Sequence, residues 1–261
     1  MKTNKILEHF FERGGDWMDR TGKWDGILMG DPEKDVDRCL VTWIPSLKAL
    51  RYMVDNQIKL MICHEPLFWT NATTIEVTPE TELKSDFIKD NDLTVMRLHN
   101  AWDGWPEIGT LWAWAKFLGL PSTPTAVSAD GKQHRYDIDP VTVEELAKSI
   151  AKRCAPIGEP MVQLTGEASP VVSKIGLSTG IVQDLDEFLR MGCDCSVVCS
   201  DSMGTWNHTQ KAEDRNQPVI CVNLGTTQEP GMVSLSKYIN DNIAGLAAEH
   251  LPHGNMFELI G

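Results

Sequence analysis

The sequence predicts an α/β protein built as two α/β halves. Short apolar runs that read as buried strands alternate with amphipathic helical stretches, and this alternation appears before residue 120 and again after residue 171. The His and carboxylate residues best suited to chemistry fall directly after strand-like runs, where open parallel sheets place their sites.

In the first half, 39–44 (CLVTWI) reads as a strand and Pro45-Ser46 as a cap. Residues 47–56 form a helix with apolar residues at 47, 50, 53 and 54, and 58–63 (IKLMIC) reads as the next strand. This β-α-β unit favours parallel strands with a right-handed crossover. A helix near 82–89 leads to a third strand, 93–98 (LTVMRL), and 106–118 reads as a helix closed by Gly119 and Pro121. Residues 121–140, rich in Pro, Ser, Thr, Asp and Gly, suggest a linker or inserted lobe, so the halves are set at 1–120 and 171–261 around a middle segment, 121–170. Within that segment 141–153 is a helix, with Thr142 as its cap and Glu144 and Glu145 near its positive end. The second half reads as strand 171–177, helix 184–191, strand 196–200, helix 205–214, strand 219–224 and helix 231–248.

Composition narrows the function. With 42% hydrophobic and 23% charged residues the chain is an ordinary globular one, and 261 residues are ample for a buried core. Its net charge of −13 opposes nucleic acid or an anionic membrane as main partner. There is no run of about 18 apolar residues, and the start, MKTNKILEHFFE, has no long apolar stretch, so a cytoplasmic protein is expected. Seven scattered cysteines fit reduced thiols; the one cluster, Cys193, Cys195 and Cys199, falls in a strand-like run and reads as structural. No GxGxxG, phosphate-loop or Gly-x-Ser-x-Gly motif is present.

The chemistry concentrates in two places. Cys63-His64-Glu65-Pro66 follows the second strand, and His99-Asn100-Ala101-Trp102-Asp103 follows the third. Each delivers an imidazole and a carboxylate, the ligand types that suit zinc, manganese or iron. The alternative is that both histidines bond loop backbone while Glu65 and Asp103 cap helices. A third region, 221–232 (CVNLGTTQEPGM), is a strand-to-helix turn whose helix start could receive an anion, although an ordinary turn looks the same.

Taken in order and spacing, ICHEPLFW (62–69), RLHNAWD (97–103), the strand–helix–strand ending in CSD (199–201), VNLGTTQEPGM (222–232) and LPHGNMFELI (251–260) resemble the NIF-three-like family, named for NGG-one-interacting factor three, some of whose members are called GTP cyclohydrolase I type 2. The resemblance spans nearly the whole chain and implies one NIF-three-like unit over 1–260. It implies a two-metal site in the cleft between the halves and a toroidal homohexamer built from dimers. His64, His99 and Asp103 match family ligands, and Glu65 stands where many members have a second histidine and some have Glu. The family closes its site with a histidine and, four residues on, a glutamate; here those positions hold Leu224 and Gln228. Leucine cannot ligate and an amide is a poor ligand for a divalent cation, though Glu229 offers a carboxylate one position away.

Three outcomes follow: one metal on His64, Glu65, His99 and Asp103, recruitment of His208, Asp201, Cys63 or Cys199, or loss of metal. The joint survival of two imidazoles and two carboxylates favours a retained, altered site with one or two divalent ions (zinc, manganese or iron). Such a site suits hydrolysis of an amide, amidine or ring C–N bond in a small, flat molecule, with Glu65 or Glu229 as general base. Trp69, Trp102 and Trp206 would wall the substrate, with His208 beside them; each tryptophan has core or interface packing as its alternative, and His208 a surface helix position. The other class of reading is a non-catalytic metal-binding or regulatory oligomer with a degraded site.

Overall fold

The computed structural model describes residues 1–68, 78–180, 184–200 and 206–254, with backbone only for 206–208. Two compact units are present: Met1–Gly109 with Met232–His253, and Thr110–Gly231.

In the first unit α1 (Thr3–Arg13) precedes β1 (Asp25–Met29) and β2 (Arg38–Thr42). Then come α2 (Leu47–Asp55), β3 (Leu60–Cys63), α3 (Pro79–Asp90), β4 (Thr94–Leu98) and the one-turn α4 (Asn100–Asp103). The β-α-β reading holds: β2 pairs with β3 and β3 with β4, all parallel. Ser46 caps α2 by accepting from the Ala49 N–H, and Thr78 opens α3 with a reciprocal capping box. Leu40, Met61, Cys63 and Val95 pack on Leu50, Met53 and Ile88 of the helices. Sequence reading missed two strands. β1 lies antiparallel to β4, and β11 (Ala247–His250) adds to β2 in parallel, giving the order β1-β4-β3-β2-β11. A local pattern cannot announce a pairing partner so distant in the chain. Gly30, just after β1, has a φ of +103° and lies so near Leu93 and Thr94 that a side chain would strike their backbone.

The second unit contains α5 (Thr110–Leu118), β5 (Ala126–Val127), β6 (Gln133–Thr142), α6 (Val143–Cys154), β7 (Gln163–Thr165) and β8 (Val171–Ser178). It continues with α7 (Leu185–Arg190), β9 (Cys195–Cys199), α8 (Trp206–Asp214) and β10 (Val219–Val222). Its sheet runs β5-β6-β8-β9-β10-β7, with β8, β9 and β10 parallel and the flanking pairs antiparallel. Alternate residues along β9 and β10 serve opposite faces, as strand geometry requires. Val197, Ile220 and Val222 meet α5 and α6, whereas Val198, Val219 and Cys221 meet α7 and Ala212.

Four sequence readings are corrected here. The 121–140 stretch is no separate lobe, because Pro121, Pro124 and Gly131 lie in the turns flanking β5, and β6, which contains Pro140, pairs with β8 along most of its length. The contacts divide after Gly109, not at 121, and 232–253 returns to the first unit. The helix expected from 106 starts at Thr110, since Glu107 adopts a φ of +66° that a helix excludes. The helix expected over 231–248 is α9, Leu224–Asn242, which accommodates Pro230 inside it and stops before β11. Thr142 does cap α6, reciprocally with Glu145. Most of the closing strand expected at 251–260 lies outside the described residues.

His134 is buried on β6, its Nδ1 3.0 Å from the Tyr136 hydroxyl and its ring edge-on to Trp112. Burial pushes its pKa down from 6.5 to about 4. A depressed histidine contributes stability that is complete above pH 6.5 and is lost as pH falls toward 4, up to about 3 kcal/mol. Urea titrations of native and His134→Gln protein at pH 7 and pH 4.5 are expected to show a smaller acid loss in the variant; equal losses would contradict this assignment.

Candidate metal centre

β3 and β4 are neighbouring parallel strands, so the residues that follow them emerge side by side. His64 and Glu65 form the turn after β3, and both of their N–H groups donate to the Trp43 carbonyl, at 3.2 and 2.9 Å. His99 immediately precedes α4, whose single turn brings Asp103 back beneath it, the i,i+4 relation of one helix face. The two imidazoles stack with centroids 4.4 Å apart and planes 18° apart. Asp103 spans both: Oδ1 lies 3.5 Å from His64 Nε2, and Oδ2 lies 3.5 Å from His99 Nδ1. One donor atom from each of the three residues falls within 4.8 Å of the other two.

These donors fit a divalent cation. His64 is fully buried, and its Nε2, which faces Asp103, makes no hydrogen bond among the described residues; Asp103 Oδ1 is likewise buried without one. His64 Nε2 and Asp103 Oδ1 face each other 3.5 Å apart without a hydrogen bond, and orphaned buried polar atoms are costly, so the pair calls for a shared partner. Burial, offset in part by Asp103, pushes the His64 pKa down to about 3, which keeps the imidazole neutral, the form that ligates. Two imidazole nitrogens and a carboxylate suit zinc, manganese or iron and leave coordination positions open.

Neighbouring groups hold the cluster in place. Asp25, at the start of β1, is buried beneath the turn, and its carboxylate accepts from the N–H groups of His99 (2.7 Å), Ala101 (3.0 Å) and Asp19 (2.9 Å). Burial raises the Asp25 pKa, and those N–H donors oppose the rise. Arg97 on β4 donates from Nε to the His64 carbonyl at 3.0 Å and sets Nη2 3.9 Å from Glu65 Oε2. The half-exposed Trp24 lies against both Arg97, 4.9 Å from its ring centre, and the His99 ring, at 5.2 Å between centroids. Sequence reading overlooked Asp25, Arg97 and Trp24. A strand beginning at Trp24-Asp25 would have marked the first and last, and a buried cation one residue before a strand end the second.

The sequence candidates divide accordingly. His64, His99 and Asp103 come together, whereas Glu65 sits beside them in an ion pair with Arg97. Trp102, expected to wall a substrate, is fully buried in a cluster with Phe10, Trp105 and Tyr238, and its Nε1 donates to Ser234 Oγ. It anchors α4 and faces no ligand, because an amphipathic turn carrying Asp103 toward the cluster must bury its opposite side. Leu224, Gln228 and Glu229 lie in the first two turns of α9, the latter two buried. The Leu224 N–H donates to Ser200 Oγ. Trp69 and Asp201, and the side chains of Trp206 and His208, lie outside the described residues. Cys63 is unsuited to the chemistry: burial pushes its thiol up to about 12, and its Sγ donates to the Glu65 and Met96 carbonyls. Cys193 and Cys195 pack into cores on opposite faces of their sheet, and all seven cysteines are buried and outside any disulfide.

Two sheets flanked by helices and a His/His/Asp cluster at adjacent strand ends define an α/β protein with a candidate metal centre. The chain belongs to the Duf34/NIF3 (NGG1p interacting factor 3) family, which it matches over residues 5–251. It is 24% identical over 181 residues to a protein of Streptomyces coelicolor named GTP cyclohydrolase 1 type 2 homolog, a match covering 66% of this chain and 63% of that one. A Bacillus cereus protein related to NIF3 superposes with a TM-score of 0.81 at 11% identity, covering 100% of this chain and 99% of its own. A Staphylococcus aureus hypothetical protein does so with 0.78 at 16%, again over 100% and 99%. At such identities the structural likeness speaks for the fold.

Asp25→Ala removes one acceptor from three backbone donors and is expected to cost roughly 2–5 kcal/mol in urea denaturation. Asp25→Asn, which keeps one oxygen acceptor, should recover part of that loss. A cost below about 0.5 kcal/mol for the alanine variant would show that water replaces the carboxylate and that it does not set the turn.

Proposed function

We propose that this chain is a metal-dependent hydrolase acting on an amide, amidine or ring C–N bond of a small, heteroaromatic molecule. The observation that carries the reading is the pair of buried atoms without a hydrogen bond, His64 Nε2 and Asp103 Oδ1, 3.5 Å apart and beside His99. His64, His99 and Asp103 would hold a zinc, manganese or iron ion. A divalent cation with an open position supplies Lewis acidity and lowers the pKa of water from 15.7 toward about 7. The protein's own contribution is to orient the three ligands through Asp25 and the His64 backbone, with the half-exposed Trp24 at the edge of the cluster beside His99. Glu65, beside the cluster in the same unit, is the carboxylate proposed to hold or move protons. The name of the Streptomyces relative supports ring C–N chemistry.

The partner is a small molecule, and the family resemblance supports a dimer-based homohexamer. The −13 charge argues against nucleic acid and anionic membrane, and no helix among the described residues is long and apolar enough to cross a membrane. Seven buried cysteines, none in a disulfide, support the cytoplasm as its compartment.

A second reading, a non-catalytic metal-binding or regulatory oligomer, is favoured by Leu224 and Gln228 at the family's ligand positions. Metal analysis of protein purified without chelator, followed by turnover of a panel of purines, pyrimidines and cyclic amides, separates the two. The hydrolase reading expects bound metal and turnover, both lost in His99→Ala. Bound metal without turnover favours the regulatory reading. Less than about one ion per five chains, even after zinc, manganese or iron is added, overturns the metal centre.

A further inference from the structure

Glu65 directly follows a ligand residue, is buried and carries a carboxylate, yet it stays outside the three-residue cluster. The reason lies on the next strand. Arg97 pairs in register with Cys63, one residue before His64, so the sheet itself fixes where the guanidinium starts. Its Nε is bound to the His64 carbonyl, its Nη2 faces Glu65, and Trp24 lies across it. Arg97 is only 5% exposed, so this is a desolvated cation with a fixed position.

Charge counting then limits what the centre can accept. Among the described residues of this unit, the carboxylates acting on Arg97 are Asp25, Glu65 and Asp103, three negative charges against its one positive charge, and ligating imidazoles are neutral. The balance is two negative charges, which one divalent ion cancels; a second would leave an uncompensated double positive charge in a largely buried site, which is costly.

We infer that this is a one-ion centre in which Arg97 is a positioning residue: its guanidinium takes up the charge of Glu65, keeps that carboxylate off the ion and stands in for a second cation. The inference rests on the reading that His64, His99 and Asp103 bind a divalent ion, and it departs from a two-metal site and from Glu65 as a ligand.

Equilibrium dialysis against manganese(II) or zinc(II), with ion content and Kd measured on the whole chain, tests it without an activity assay. Native protein is expected to bind one ion per chain. His64→Ala should weaken binding by more than about 100-fold, whereas Glu65→Gln should keep one ion and lose no more than about tenfold. Arg97→Met frees the Glu65 carboxylate and should bind the ion at least about tenfold more tightly or take up a second; Arg97→Lys, which keeps the charge but not the Nε bond to His64, should stay at one ion per chain. Two ions on native protein overturn the inference while leaving the metal centre intact, as does a Glu65→Gln loss matching that of His64→Ala. No ion on native protein overturns the metal reading itself. If Arg97→Met does not fold, Arg97→Lys and Glu65→Gln still decide: a second ion in Arg97→Lys contradicts the inference.

Discussion

The centre depends on a buried carboxylate that is not one of its ligands. Asp25 gathers the N–H groups of His99, Ala101 and Asp19 onto two oxygens, fixing the point at which β4 turns into α4. A one-turn helix has little stability of its own, since nucleation is the costly step and no further turn repays it. α4 persists because Asp25 satisfies N–H groups at its start while Trp102 is buried in the aromatic cluster on its other side. The i,i+4 relation between His99 and Asp103 is therefore maintained by groups outside α4.

Arg97 performs the corresponding task on the neighbouring strand. Asp25 acts on the backbone ahead of Asp103, and Arg97 on the carbonyl of His64 and the carboxylate after it. Both are buried charges, and a buried charge persists only with partners that repay its desolvation. Each finds them in the turns that carry the ligands. Electrostatic compensation and the placement of the cluster residues are thus the same set of contacts, and a change to either residue acts on both stability and the geometry of the cluster.

The legible part of the fold was what local pattern determines. The parallel β2-β3-β4 ladder and the cap at Ser46 followed from apolar periodicity and short-range chemistry, as did α6 behind Thr142. The illegible part was set by partners distant in sequence. β1 carries a partly polar face and reads as a strand only beside β4, and β11, with the sequence AAEH, has almost no strand character until β2 supplies its ladder. The site divided in the same way. His-x-x-x-Asp declares one helical face, so His99 and Asp103 were readable, and the strand-end position made His64 so. Asp25 and Arg97 were not, because their roles depend on which backbone groups they meet across strands. Trp102 was misassigned because proximity in sequence to Asp103 says nothing about which side of a helical turn faces the cluster.

β11 also bears on how the protein is made. Arg38 of β2 and Glu249, beside one another at the edge of the first sheet, are 211 residues apart in the chain. At a synthesis rate of ~5–20 residues per second, the ribosome spends on the order of ten seconds or more between the two strands. During that interval the edge of β2, with Leu40 and Val41, is an unpaired apolar template, while 110–231 can complete its own sheet. Nascent chains halted before residue 247 would thus combine a closed second unit with an open first sheet, a species apt to recruit a chaperone or another strand.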